Sequence, residues 1–377
     1  MKALVYSAWD TLEVRDVPGP RPDAGDVVLR VAAVGICGSE LEAVASRSPR
    51  RTPPLILGHE FCGEVEELGP GAHDVKVGDR VAASSVIPCG RCGSCRAGAT
   101  HLCPQRQIFG MNRPGAFAER VAAPSSVLFP LPERVGPLEG ALIEPLANAV
   151  HVWSLVTVRF PEVVVVIGCG AIGLLALQVA RAGGALTLIA VDTNEARLQM
   201  AHAVGAEPVF NPTRQDVVAE LRDSTRGAMA DVVVDAVGAG VTRRAAVEMV
   251  RRGGEVVWIG LHGDATELPG REVVLGERRI TGSYAVTARY RDRDRAVRPP
   301  PDRRGPVGAS VHARRRRARL PRAAHGTARG VCEGRADAVT TSWGDPYRFP
   351  PDPPLRFASG SVHWNLWVGM CRFATMR

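Results

Sequence analysis

Apolar residues follow two different rhythms along most of this chain. Up to about residue 145 they come in short, Val-rich runs such as "DVVLRVAAVGI", "GEVEELG", "KVGDRVAA" and "GAFAERVAA", each bounded by Gly, Asp or Pro. Runs of that kind predict strands, and their close spacing predicts a compact barrel or sandwich. At "IEPLANAVHVWSLV" the period becomes helical, with Pro145 suited to the first turn. From Val163 onward, continuous apolar runs ("VVVVIG", "LTLIAVD", "ADVVVDAVG", "EVVWIGL", "RRITGSYA") alternate with helical stretches ("AIGLLALQVARAG", "NEARLQMAHAVGA", "TRRAAVEMVRRGG"). That alternation predicts a parallel sheet covered on both faces. After about Ala288 neither period survives, and the Arg/Pro/Ala/Gly-rich composition cannot bury enough apolar surface to offset chain entropy. The expectation is an α/β chain with a β-rich domain over residues 1–150 and a doubly wound parallel-sheet domain over 151–287. A disordered tail is expected over 288–377.

A length of 377 residues suits two or three domains. The formal charge of +8 is unevenly placed: residues 289–335 hold 15 Arg and no Lys against Asp292, Asp294, Asp302 and Glu333, a net +11. The remainder therefore carries −3, so no basic nucleic-acid surface is expected on the body. The first residues lack the apolar core of a secretory signal, and no apolar run reaches the roughly 18 residues of a membrane span. A cytoplasmic protein with no membrane partner is expected. Nine cysteines, an odd number, then point to metal or catalysis rather than to disulfides.

Four of those cysteines, Cys89, Cys92, Cys95 and Cys103, form "CGRCGSCRAGATHLC". The start resembles a ferredoxin run, but the last gap is seven residues where a ferredoxin has three. Four thiolates close a tetrahedron around zinc with no open position, which makes a structural site. Unmetallated thiols are the remaining alternative.

"VVVVIGCGAIG" places Gly168, Gly170 and Gly173 between a buried strand and a helix, and Asp192 closes the next strand nineteen residues later. In that context the glycines are a Rossmann dinucleotide fingerprint. The pyrophosphate would sit on the helix N-terminus, and Asp192 would accept hydrogen bonds from the adenosine ribose. A carboxylate there favours NAD over NADP, with Arg197 five residues on as the counter-indication. Ile172 and, at the later strand ends, Val237, Gly238, Ile259 and Gly260 complete the candidate cofactor set.

Cys37, His59, Glu60 and Glu144 lie in "GICGSE", "LGHEFCGEVEELG" and "IEPLANAVH", too far apart for spacing to show that they meet. Taken in order, however, C-G-S-E, G-H-E-x-x-G-x-V, G-D-R-V, the four-cysteine loop, E-P-L and the Rossmann glycines resemble the zinc-dependent medium-chain alcohol dehydrogenases over residues 1–287. The glutamate of "EPL" resembles the sorbitol, threonine and polyol dehydrogenase branch. The resemblance implies a GroES-like catalytic domain and a catalytic zinc bound by Cys37 and His59, with Glu144 and Glu60 completing or alternately entering its shell. It also implies Ser39 as the start of a proton relay, a small hydroxylated substrate, and a homodimer or homotetramer built through the Rossmann sheet edge. Two departures stand out. Glu40 replaces the usual Asp, and Glu42 stands where relatives often carry a relay His, so that protons leave by water or by Glu42.

In this family the chain returns after the nucleotide domain to finish the catalytic domain, and 288–377 has no such pattern. A frameshift is the leading reading, which would make an inactive or unstable product the alternative function. A natural disordered extension, and a basic arm around "HARRRRAR" able to neutralise phosphates, are its rivals.

Overall fold

The computed structural model describes residues 1–285 and the backbone of 373–374, so the frameshift, extension and basic-arm readings of the tail lie outside the described residues. The strand Asp26–Gly35 organises the first half. It pairs antiparallel with Glu60–Leu68 and with Arg120–Pro124. Glu60–Leu68 pairs in turn with Arg80–Ala83, and that strand with Leu128–Pro130. A separate three-stranded sheet joins Lys2–Ala8 to Thr11–Asp16 and Leu55–Ile56. The Val-rich runs are strands because their alternate residues fill one core, around Tyr6, Leu29, Phe61, Val65, Phe109 and Leu128. Phe61 and Phe109 meet edge to face with centroids 5.1 Å apart. A two-residue strand at Phe373–Ala374 also pairs with Asp26–Gly35, opposite Gly35 and Val34.

Register matters more for function than any single contact. Gly35 lies opposite Glu60. Because the strands run antiparallel, the residues leaving one and those entering the other emerge side by side. Cys37 and His59, 22 positions apart, are therefore delivered to one place.

The second half is a six-stranded parallel sheet in the order Val209–Phe210, Thr187–Val191, Val163–Ile167, Ala230–Asp235, Val250–Trp258, Arg279–Gly282. Numbered by sequence this is 3-2-1-4-5-6, the doubly wound dinucleotide-binding arrangement. Its strands read as unbroken apolar runs because each face has its own helix layer. Val164, Val166, Leu188 and Val232 pack with Leu174, Leu177 and Leu198 on one side. Val165, Ile189, Val233 and Val256 pack with Leu221, Ala246 and Met249 on the other. Val164, Val165 and Val166 are all 0 % exposed, which a sheet open on one face would not allow.

The helix Ile143–Leu155 runs across position 150. Ala149 and Val152 join the nucleotide-side core, and Trp153 Nε1 donates to the Ala176 carbonyl at 2.9 Å. Its first turn carries Glu144 toward the β-rich half, where Ser85 meets it.

Two carboxylates pin the chain where it enters the parallel sheet. Asp231 accepts from the Glu162 and Val163 amides and from Arg251. Glu255 accepts from the Thr157 amide and hydroxyl and from Arg279. Burial alone would raise both pKa values, but these donors outweigh it and hold both below the ordinary carboxylate range. Their stabilisation is therefore complete above the unfolded pKa of about 4 and is lost as pH falls through the depressed folded values. Melting temperature should drop as pH falls below about 4–5. Asp231→Asn should cost roughly 1–3 kcal/mol at neutral pH and flatten that acid slope, as thermal melts across pH would record.

Candidate functional site

The strand Asp26–Gly35 ends at Gly35, and Cys37 then caps the helix Gly38–Ala45. Glu40, in that helix's first turn, is only 2 % exposed, and it is the organising group of the site. Its Oε2 accepts from the Cys37 amide at 3.2 Å, and its Oε1 accepts from the Gly58 amide at 2.7 Å and lies 2.8 Å from His59 Nδ1. With Nδ1 engaged, Nε2 is the ring atom left to ligate a metal beside Cys37. The methylene that Glu adds over Asp is thus used to reach both ends of the cluster.

Ligand atoms of Cys37, His59 and Glu60 all lie within 4.8 Å of one another. Glu60 is 4 % exposed, and its carboxylate packs where a Cβ on Gly35 would come within 2.5 Å of Oε2. Glu144, expected in the same shell, is not part of that group. Its Oε1 accepts from Ser85 Oγ at 2.5 Å and its Oε2 from Asn148 Nδ2 at 3.0 Å. It is near enough to be felt: burial first, and then the Glu144 charge, push Glu60 up to about 7. Burial also raises the Cys37 thiol, with Glu60 and Glu40 adding to it, and His59 is raised because Glu40 and Cys37 outweigh its burial. A buried thiol, imidazole and carboxylates that resist one another's charge are relieved by a divalent cation, and thiolate, imidazole and carboxylate are zinc's donor set. Three such donors leave a fourth position for substrate.

Ser39 Oγ donates to Cys37 Sγ at 3.3 Å. Glu42 is exposed on the helix. Sequence reasoning missed Arg51, which is buried against Ser39; its partners there are the carbonyl and hydroxyl of a residue in another segment, so no motif marks it.

The four-cysteine loop forms a second group whose sulfurs all lie within 4.8 Å. Cys92 is 3.4 Å from Cys95 and 3.8 Å from Cys103, and Cys89 is 4.0 Å from Cys95. Zinc–sulfur bonds of about 2.3 Å require a tetrahedral edge of about 3.8 Å. A disulfide would need about 2.05 Å, so the spacing suits one ion. Cys89 is lowered to about 6 by the Arg91 and Cys92 amides, while desolvation and the neighbouring sulfurs raise Cys95 to about 12. Beyond the loop, Arg106 donates to the Cys103 carbonyl and to the Tyr284 hydroxyl, and it lies over the Tyr284 ring.

At the carboxyl ends of the parallel strands the glycines do two distinct jobs. Gly170 caps the helix Ala171–Ala182, and a Cβ there would meet nothing within 4 Å, so the helix end is open to a ligand's close approach. A Cβ on Gly173 would lie 1.8 Å from the Gly168 carbonyl oxygen. Gly173→Ala must therefore push helix from strand, and dinucleotide affinity should fall roughly ten- to a hundredfold, a cost of about 1–3 kcal/mol, as fluorescence titration with NADH would show. Ile172 lies in that helix's first turn. Gly238 and Gly260 touch so closely that a Cβ on either would come within 2.1 Å of backbone. Asp235, 0 % exposed and not singled out from the sequence, accepts from the Val237 and Gly238 amides, while its carbonyl takes the Ile259 and Gly260 amides. The signal was present, since Asp235 ends an apolar strand before a glycine as Asp192 does. Asp192 is buried, accepts from the Cys169 and Asn194 amides at 2.7 and 2.8 Å, and has Arg197 Nη1 3.8 Å away.

Comparison with known proteins agrees with both halves. The alcohol dehydrogenase GroES-like domain family matches residues 23–133, and the zinc-binding dehydrogenase family matches residues 171–297. An L-threonine 3-dehydrogenase of Pyrococcus horikoshii is 34 % identical over 281 residues, covering 74 % of this chain and 80 % of that one. Among solved structures, the alcohol dehydrogenase of Thermus sp. ATN1 is 32 % identical with a TM-score of 0.71, over 76 % of this chain and 85 % of that one. The 2R,3R-butanediol dehydrogenase of Bacillus subtilis is 30 % identical with a TM-score of 0.70, over 77 % and 86 %. Among the described residues no helix is long and apolar enough to cross a membrane. Matched by both family models and at 30 % identity or more by these enzymes over most of their length, the chain belongs to the zinc-dependent medium-chain alcohol dehydrogenase family and is a zinc- and nicotinamide-dinucleotide-dependent alcohol oxidoreductase.

Proposed function

We propose that the chain interconverts a secondary alcohol bearing a neighbouring polar group (a polyol, cyclitol or amino alcohol) and its ketone, with NAD as the hydride acceptor. The observation that carries this reading is the convergence of Cys37, His59 and Glu60 donor atoms within 4.8 Å, beside a buried Glu144. Relatives named for threonine and butanediol support the substrate class. The buried Asp192 carboxylate, which a 2′-phosphate would meet as like charge, supports NAD.

In this reading Cys37 and His59 hold the catalytic ion with Glu60, and Glu144 is the carboxylate poised to enter the shell. Bound there, zinc would supply Lewis-acid polarisation of the substrate hydroxyl. Glu40 sets the ring orientation of His59, while Ser85 and Asn148 hold Glu144 in place. Gly168, Gly170 and Gly173, with Val237, Gly238, Ile259 and Gly260 at the later strand ends, shape the cofactor bed. Cys89, Cys92, Cys95 and Cys103 hold a structural ion. The proposed division is a catalytic unit over 1–150 and a nucleotide unit over 151–287. A homodimer or homotetramer would form through the Arg279–Gly282 edge, beside which Val274 and Leu275 are 75 % and 63 % exposed.

The test is oxidation of L-threonine, 2,3-butanediol and sorbitol by purified chain with NAD or NADP, followed as reduced cofactor and paired with zinc analysis. Turnover on one of them with NAD preferred, and two zinc ions per chain, is the expected result. A folded chain binding only one zinc would overturn it.

A further inference from the structure

Arg51 carries a permanent positive charge into the interior, where it is 6 % exposed. Among the described residues it forms no ion pair within 4.0 Å. Its donors go instead to neutral oxygens of two segments. Nη1 donates to the Ser39 carbonyl at 2.9 Å, Nη2 to Ser39 Oγ at 3.3 Å, and Nε to the Gly110 carbonyl at 3.2 Å. A buried guanidinium is costly unless its hydrogen bonds are satisfied and its charge is answered nearby. The acidic groups that act on it are Glu40, Cys37 and Glu42; Cys37 is one of the clustered donors, and Glu40 holds the His59 ring.

Ser39 has one hydroxyl proton. With Arg51 donating to its oxygen, that proton is directed to Cys37 Sγ, 3.3 Å away. A hydrogen bond to a thiolate withdraws electron density from the sulfur and so makes it a weaker donor to any metal it holds.

We propose that Arg51 is a positioning residue for the alcohol oxidation: it locks the Ser39 hydroxyl as a hydrogen-bond donor to the Cys37 sulfur, and so tunes that sulfur as a ligand. The role rests on the dehydrogenase reading above but is measurable without turnover. Without Arg51 the Ser39 hydroxyl is free to rotate away, Cys37 becomes more electron-rich, and a metal at the site polarises a hydroxyl less.

The test uses the full chain with cobalt(II) in the catalytic site, whose thiolate-to-cobalt absorption reports on Cys37 directly. Arg51→Met should move that band to longer wavelength and lower kcat roughly 10- to 100-fold with little change in KM. Arg51→Lys, which keeps the charge and a single donor nitrogen but not the fork, should fall between Met and the parent in both readouts. If the Met variant fails to fold, the lysine variant carries the test alone. Ser39→Ala should reproduce the band shift, and adding Arg51→Met to it should change little, because the two act through one hydrogen bond. A band unmoved in the Arg51 variants, or kcat losses that multiply in the double variant, would overturn the role. No turnover on any alcohol alongside an Arg51-dependent band would count against the proposed substrate class and for this role.

Discussion

Replacing His59 by alanine is expected to lower turnover by roughly 10³-fold or more and to reduce bound zinc from two ions per chain to one. The size follows from what the ring does. His59 is 7 % exposed and is one of three donors brought within 4.8 Å. An open catalytic site with one protein ligand missing no longer holds its ion at working concentrations, and Lewis-acid stabilisation of a developing alkoxide is worth several kcal/mol. About 4 kcal/mol is already 10³ in rate. The substitution also strips Glu40 of one partner while leaving the Gly58 and Cys37 amides on it, so folding should survive at a cost of roughly 1–3 kcal/mol. Glu40→Gln separates the two effects: it keeps the ligands but weakens the hold on the ring, and it should cost roughly 10- to 100-fold. Reduced-cofactor formation, zinc analysis and thermal melts on both variants give the comparison. Full turnover by the His59 variant would remove that residue from the site.

The nucleotide half was legible because its determinants are local. A strand covered on both faces has to be apolar throughout, as Val163–Ile167 is, and the glycine spacing marks where strand gives way to helix. The cysteine loop was legible for the same reason, since fifteen residues contain all its donors. The other metal group could be named only through the order of motifs, because Cys37 and His59 meet through the antiparallel register that sets Gly35 against Glu60, and no spacing rule encodes that pairing. Which glutamate joins them was equally hidden. Glu60 and Glu144 are both buried acids, and the difference is that Ser85 and Asn148 occupy the oxygens of Glu144. Arg51 left no trace for a related reason, as two of its three bonds go to backbone carbonyls, which every residue possesses.

Cys103→Ser should release the second zinc and leave the segment around residues 89–106 open to proteases that the parent resists. This loop has little else to order it: Leu102, one of its few large apolar residues, is 53 % exposed. Its only helical pieces are the single turns Gly93–Arg96 and Thr100–Leu102. Zinc binding by four thiolates supplies on the order of 10 kcal/mol in comparable small sites, far more than such turns provide. Cys103 is the most consequential of the four because it is 0 % exposed, accepts from the Cys89 amide, and leads directly into the part of the loop that Arg106 fastens to Tyr284. Loss of the ion should therefore spread to the short pairing of Val86–Ile87 with Gln107–Ile108 and stop at Phe109, which is fully enclosed in the β-rich core. The expected pattern is one zinc per chain, new cleavage confined to the loop, and a parallel sheet whose own unfolding transition is little changed. A serine variant that kept both ions and the parent's protease resistance would show that the thiolates, close as they are, do not share a metal.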